Sequence, residues 1–462
     1  AMSGDTLLVA DPFEPPAPDE VPDPLEPPAV RLVEVYQRQS NMWLNSSLLV
    51  PLDEEFEDGF GSSLAIDGDI AVVGAPLSDA TRGAAYVFAR TQLGWMQVAK
   101  LMAETPSPSD EYGRSVAVLG SDIIVGAPQL IPENPNNPDQ IQPSGYADVW
   151  SQTGTGWERT AHLTETAPFN PGGGEETGGS VALAEGGWAF VGAPGFAAGS
   201  GRVHMYLDLG GIWILQGSLS AIDSIQNLGF GTNLAATGET LVISATGALG
   251  GPAGAGPVGA VYTFDRTAAT WTQVDKTMST HPETNRYGAS LAVSEEQMLV
   301  GEPNVDSSQG SAHLYRRLGT GWELRDSLRP VTTLNGDRYG SQVTTNGNWA
   351  GVVASGFPAV FMTHTEDAPD CDGNGLDDRC EITSGAKLDC NGNGVPDDCD
   401  ITAGSSVDCD GDGIPDTCNL LTGTPDCNNN GVPDSCDISS GSSGDCNSNA
   451  LPDDCETDCN EN

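Results

Sequence analysis

Five acidic loops near the C-terminal end of this chain share one spacing. The clearest copy, DCNGNGVPDDCDI, begins at Asp389. Counted from that residue, oxygen-bearing side chains stand at positions 1, 3, 5, 9 and 12: Asp389, Asn391, Asn393, Asp397 and Asp400. Gly394 at position 6 suits a sharp turn, and Val395 at position 7 offers a backbone carbonyl. Calcium is a hard cation that takes six to eight oxygens, and this is the ligand spacing of a twelve-residue calcium loop. The first loop offers Asp370, Asp372, Asn374, Leu376 through its carbonyl, Asp378 and Glu381. The third offers Asp408, Asp410, Asp412, Ile414 and Asp416, with Asn419 at position 12. The fourth offers Asp426, Asn428, Asn430, Val432, Asp434 and Asp437. The fifth offers Asp445, Asn447, Asn449, Leu451, Asp453 and Glu456, with Ala450 in place of the glycine. About five Ca²⁺ ions are therefore expected, most weakly at loops three and five because of Asn419 and Ala450.

The loops start 18 or 19 residues apart, and each carries cysteine at positions 2 and 11. About seven residues separate one loop from the next, too few for the paired helices of a full EF-hand. The stretch 370–459 resembles thrombospondin type 3 repeats, in which ions and disulfides stand in for a hydrophobic core. Its repeat length and two cysteines per loop depart from that family, so no pairing is carried over. Two pairings fit the spacing: within each loop, leaving Cys459 over, or between successive loops such as Cys380 with Cys390, leaving Cys371 over. The tail carries about twenty net negative charges. Like-charge repulsion opens it without ions, and ions are expected to fold it into a stiff rod.

The elements before this tail have a different chemistry. All eleven cysteines lie at or beyond Cys371, so the first 370 residues have none. The chain of 462 residues carries a formal net charge of −47, with 65 acidic residues against 18 basic ones. No basic stripe is available to displace counterions from a phosphate backbone, so nucleic acid is an unlikely partner. No apolar run of about 18 residues exists, so no membrane insertion is expected. Dense cysteine in a region without a core points to an oxidising compartment, and the protein is read as secreted, extracellular or at the cell surface.

Residues 1–366 repeat. "FGSSLAIDGDIAVVGAP" from Phe60 is echoed from Tyr112, Thr177, Phe230, Tyr287 and Tyr339. Each unit reads as four short strands, A to D. The turn Asp67-Gly68 joins A to B, an aromatic residue closes C, and a tryptophan opens D. Trp95, Trp157, Trp213, Trp271 and Trp322 share that last position, which marks packing between sheets. Repeated four-stranded units suggest a β-propeller. Phe60-Gly61 with Gly74-Ala75-Pro76 resembles the FG-GAP repeats of integrin α-chain propellers. The calcium loops that such propellers often carry between strands A and B do not fit here, because those turns are too short. The fold is therefore expected to be all-β, a propeller over 1–366 followed by the repeat rod over 367–462.

The N-terminal unit reads as B, C and D without A, and the last unit as A, B and C without D. Five full and two partial units make seven blades. The alternative is six, with the strand at Tyr339 completing the first unit. Open strand edges invite pairing with another chain. The five histidines are scattered, and no catalytic or phosphate-binding motif is present. The expectation is a non-enzymatic structural protein that associates with itself into a fibre, sheath or surface layer. The competing reading is a monomeric adhesin or lectin-like module, with a surface glycan or protein as ligand.

Overall fold

The aromatic-glycine pair recurs because its glycine stands where no side chain fits. Gly113 has φ +89°, and a Cβ on it would lie 2.2 Å from the Ala84 carbonyl oxygen of the preceding unit. Gly74, which opens Gly74-Ala75-Pro76, faces it: a Cβ there would lie 2.0 Å from the Gly113 oxygen. The next residue but one completes the stitch. The hydroxyls of Ser63, Ser115, Ser180 and Ser290 donate to the carbonyls of Gly113, Gly178, Gly231 and Gly340, each in the following unit. The motif thus encodes the seam between successive sheets. Gly113→Ala is expected to cost the propeller about 3 kcal/mol, from backbone strain at positive φ and the clash together. Gly154→Ala, with nothing within 4 Å, is the control. Thermal melts of the two variants check this.

The computed structural model describes residues 1–10, 32–39, 42–53, 58–129, 145–164, 175–223, 228–248, 258–279, 281, 286–329, 335–354, 359–364, 371, 378, 382, 387–393, 395–421 and 423–456. The chain divides into two units, Ala1–His364 and Thr365–Asn462.

The first unit is an all-β propeller of antiparallel sheets. Among the described residues six sheets have four strands and a seventh has three. The third sheet is typical: strands Ser115–Leu119, Asp122–Ala127, Tyr146–Thr153 and Gly156–Leu163. Complete blades therefore number six, which corrects the expectation of seven. The N-terminal unit is also complete, because Met2–Ser3 pairs with Thr6–Ala10 as its strand A. Two residues without an aromatic-glycine pair carried no signal in the sequence. The strand Tyr339–Thr345 does not complete that first unit; it pairs with Trp349–Ala354 in the three-stranded sheet. That sheet ends on Ala359–His364, with no fourth strand among the described residues. The first and seventh sheets meet, Trp43 edge-on to Trp349 at 6.0 Å and the Asn346 amide donating to the Gly4 carbonyl at 2.7 Å.

Strand B of each blade is buried on both faces, which is why it reads as a continuous apolar run such as IAVVGA. The core lies between blades: Val72, Val87, Tyr112, Ile123 and Val125 fill one interface. Trp95, Trp157, Trp213 and Trp322 pack against such clusters, and Trp271 is buried within one. The packing role expected of them holds.

The second unit is not all β. Helices Asp397–Ala403, Asp416–Leu421 and Asp434–Ser440 follow the second, third and fourth loops. Among the described residues, each of these three loops thus has one short exit helix. Both cysteine pairings considered above are overturned. The disulfides are Cys371–Cys399, Cys390–Cys418, Cys409–Cys436 and Cys427–Cys455, joining position 2 of one loop to position 11 of the next. Their Cα separations of 5.7–5.9 Å are ordinary for disulfides. Cys380 and Cys459 lie outside the described residues, so the expected odd cysteine is not located. Buried Cys399, Cys418 and Cys436 supply the nonpolar interior, while Leu388, Val407, Leu421 and Leu451 are exposed. A unit with so little apolar burial relies on its staples.

Candidate metal centres

Each acidic loop is shaped by its own side chains before any ion is considered. In loop two the Asp389 carboxylate accepts the backbone N–H groups of Gly392 and Asn393, at 2.8 and 3.2 Å. Asn391 Oδ1 accepts from Asn393 N–H and Asn393 Oδ1 from Val395 N–H. These turns require left-handed backbone at position 4: Gly392, Gly411, Asn429 and Ser448 all have φ between +55° and +73°. Position 6 is left-handed as well, at Gly413 (+83°) and Gly431 (+84°).

The side chains predicted from sequence converge across the loop. The Asn391 and Asn393 amides both donate to Asp400 Oδ2, each at 2.8 Å, bringing positions 3, 5 and 12 together. Loop four repeats this with Asn428 and Asn430 on Asp437. Loop five repeats it with Asn447 and Asn449 on Glu456. In loop three the chemistry is exchanged: positions 3 and 5 are acids, and the Asn419 amide donates to Asp412 at 3.3 Å. There the carboxylate oxygens of Asp408, Asp410 and Asp412 lie within 4.8 Å of one another. Position 7 is bound into the loop too, since Val395, Ile414, Val432 and Leu451 each donate N–H to the position-5 side chain. Of loop one, Asp378 is described. Asp370, Asp372, Asn374, Leu376 and Glu381 lie outside the described residues.

Position 9 ties each loop to its exit helix. Asp378, Asp397, Asp416, Asp434 and Asp453 each accept the backbone N–H of the position-2 cysteine, at 2.8–3.0 Å. The other oxygen of Asp378 and of Asp397 is buried and has no partner. A buried carboxylate oxygen without a donor is costly, and it suits a cation. The donor set is oxygen throughout. The sulfurs within 4.8 Å of Asp378, Asp397, Asp416 and Asp434 belong to disulfides and offer no thiolate. Hard cations such as Ca²⁺ fit these residues; thiolate-seeking metals do not.

The loop charges are already perturbed. The Ser405 hydroxyl, followed by the Asn391 amide, holds the Asp400 carboxyl below its usual range. The Gly413 N–H does the same for Asp408. Asp410 is lowered by the Asp412 N–H, but desolvation and the neighbouring carboxylates of Asp412 and Asp408 outweigh that and raise it overall.

Ala450 sits at position 6 with φ +66°, where a Cβ is strained. Ala450→Gly is expected to relieve about 1 kcal/mol and tighten loop five roughly fivefold for calcium. Calcium titration followed by NMR shifts at Asn449 and Leu451 measures it; an unchanged affinity would mean that the strain persists in the loaded loop.

What the sequence did not signal directly was the join between loops. The exit helices were missed by the all-β reading too, although proline at position 8 precedes each described helix and Gly404 and Gly441 close two of them in left-handed conformation.

The FG-GAP repeat model matches residues 43–88 and 95–139. The propeller thus carries FG-GAP repeats over its first blades. No curated protein sequence matches the chain. A crystal structure of a protein from Lactobacillus plantarum, solved in a structural genomics programme, is similar at 12% identity and a TM-score of 0.46. The match covers 78% of this chain and 96% of that one. No helix among the described residues is long and apolar enough to cross a membrane. The four disulfides fit an oxidising compartment, as of a secreted or extracellular protein.

Proposed function

We propose that the chain is a secreted, non-enzymatic structural protein whose C-terminal unit is a calcium-loaded stalk. The unpartnered buried oxygens of Asp378 and Asp397 carry this reading, within loops whose remaining donors are all oxygen. The positions named in the sequence are the ligands, one ion per loop, and the disulfide ladder makes the stalk a thrombospondin type 3-like rod. Many ligands are amides, so affinities are of extracellular-module strength, on the order of 10⁻⁴ to 10⁻³ M. In loop three Asp408, Asp410, Asp412 and Asp416 offset Asn419, which leaves loop five the weakest. Bound calcium also lowers the repulsion between chains of net charge −47.

Self-association follows from the seventh sheet. Its outer strand, Ala359–His364, has no described neighbour on the side where six other sheets hold a fourth strand. A strand from a second molecule pairs there by strand addition. The N-terminal unit, complete with Met2–Ser3, has all four strands among the described residues. Light scattering of the native protein at millimolar calcium should show end-to-end oligomers that dissociate with chelator. A strict monomer at every calcium concentration would favour the adhesin or lectin-like reading.

A further inference from the structure

One cavity in the propeller lies at a strand C position that differs from blade to blade: Glu34, Tyr86, Asp148, His204, Tyr262 and His313 occupy it in the first six sheets. In the second and fifth sheets, strand C carries a tyrosine opposite a lysine of strand D: Tyr86 with Lys100, and Tyr262 with Lys276. Both side chains of each pair grip an aspartate from the preceding connection. Tyr86 OH donates to Asp53 at 3.2 Å and Tyr262 OH to Asp223 at 2.9 Å, and each lysine forms an ion pair with the same carboxylate. The polar end of the blade is filled and closed.

The third sheet has Asp148 at the position of Tyr86 and Tyr262, and His162 at the position of Lys100 and Lys276. Beside this pair lies a cavity of about 310 Å³, lined by Glu104, Gln129, Tyr146, Asp148, Arg159 and His162 among others. That is the lower end of the size range of small-molecule sites. Asp148 is fully buried. Its Oδ1 lies 2.6 Å from His162 Nδ1 and 3.5 Å from the Arg159 guanidinium, while its Oδ2 is buried with no partner. Arg159 also pairs with Glu104, whose side chain is 72% exposed at the rim. The Tyr146 ring lies against His162 with centroids 4.7 Å apart.

The charges decide the ligand class. In a molecule of net charge −47, this cavity sets two carboxylates against a guanidinium and an imidazole. Neither a strong cation nor a strong anion gains there. The unpartnered Asp148 oxygen needs a hydrogen-bond donor, and the guanidinium beside it, with five N–H groups, can serve an acceptor besides Glu104 and Asp148. A hydroxyl group is both, and adjacent hydroxyls engage a carboxylate and a guanidinium together. We propose that the cavity of the third blade binds a neutral saccharide residue, held by Asp148 and Arg159. The site is independent of the acidic loops.

Saturation-transfer NMR on the full chain, with glucose, galactose, mannose, fucose, rhamnose and N-acetylglucosamine as probes, tests it. Transfer to at least one sugar is expected. The variant Asp148→Tyr/His162→Lys installs the pair that fills blades two and five, and it should abolish transfer while the melting temperature holds or rises. Glu104→Gln, at the exposed rim, removes the charge that holds Arg159 in place and should weaken binding roughly fivefold. If the double variant fails to fold, that rim variant decides the matter, and an unchanged affinity overturns the proposal. So does the absence of transfer from every sugar, which would mean that the cavity holds water only, or transfer that persists in the folded double variant.

Discussion

Chelation of calcium from the oxidised protein is expected to unfold residues 389–456 and leave the propeller's melting transition where it was. The two units can be followed separately, because all nine tryptophans lie at or before Trp349. Intrinsic fluorescence therefore reports the propeller, and amide hydrogen exchange reports the tail. At 10 mM calcium, a site with a dissociation constant of 10⁻⁴ to 10⁻³ M adds about 1.4–2.7 kcal/mol to the folded state. Five independent sites add roughly 7–14 kcal/mol, comparable to the whole stability of an ordinary domain. Exposed Leu388, Val407, Leu421 and Leu451 show that burial supplies little to replace it. Protection between Asp389 and Glu456 should vanish with chelator, while the fluorescence melt stays within a degree or two. Unchanged protection would remove the ions from the account, and a falling fluorescence melt would place unseen sites in the propeller.

Breaking one rung of the disulfide ladder should have an effect of similar kind. Cys409 and Cys436 are 27 residues apart, and closing a loop of that length in the unfolded chain is worth about 3.5 kcal/mol. The double variant Cys409→Ser/Cys436→Ser is expected to lose that amount, and more because Cys436 is almost wholly buried. Loops three and four should then release calcium at concentrations that still hold loop two. Full reduction should unfold the tail even at saturating calcium. Peptide mapping without reductant checks the premise: Cys390 must be found with Cys418, and a Cys390–Cys399 peptide would refute the stagger.

The sequence made the blades legible because the seam between them is built from residues with no substitute. Gly74 and Gly113 touch across it, and Ser63 closes it, so the FG-GAP spelling survives in unit after unit. Met2–Ser3 went unseen as a strand because it pairs through only two residues and carries none of that spelling. The acidic loops were legible for a related reason: an oxygen-bearing side chain recurs at positions 1, 3, 5, 9 and 12, whatever the surroundings. Cysteine pairing was not, because partners within a loop, between adjacent loops or staggered by one repeat leave the same spacing in the chain. Only the fold of each exit helix onto the preceding loop selects among them. The cavity at Asp148 was hidden as well. An aspartate on strand C has no meaning alone; it becomes informative once Tyr86 and Tyr262 are known to fill the same place.

The stagger of the disulfides has a mechanical consequence. Pull on Cys371 and Cys455, and tension does not run along the whole chain between them. It crosses to Cys399, runs back to Cys390, crosses to Cys418, runs back to Cys409, crosses to Cys436, runs back to Cys427 and crosses to Cys455. The unlinked stretch would extend to roughly 290 Å, whereas the linked path stops near 115 Å, four short bridges and three nine-residue spans. Those three spans are loops two, three and four themselves. A force applied between Cys371 and Cys455 is therefore borne by these acidic loops in series. An ion seated in each one would stiffen it against stretch, and calcium concentration would set how far the tether yields before its covalent limit.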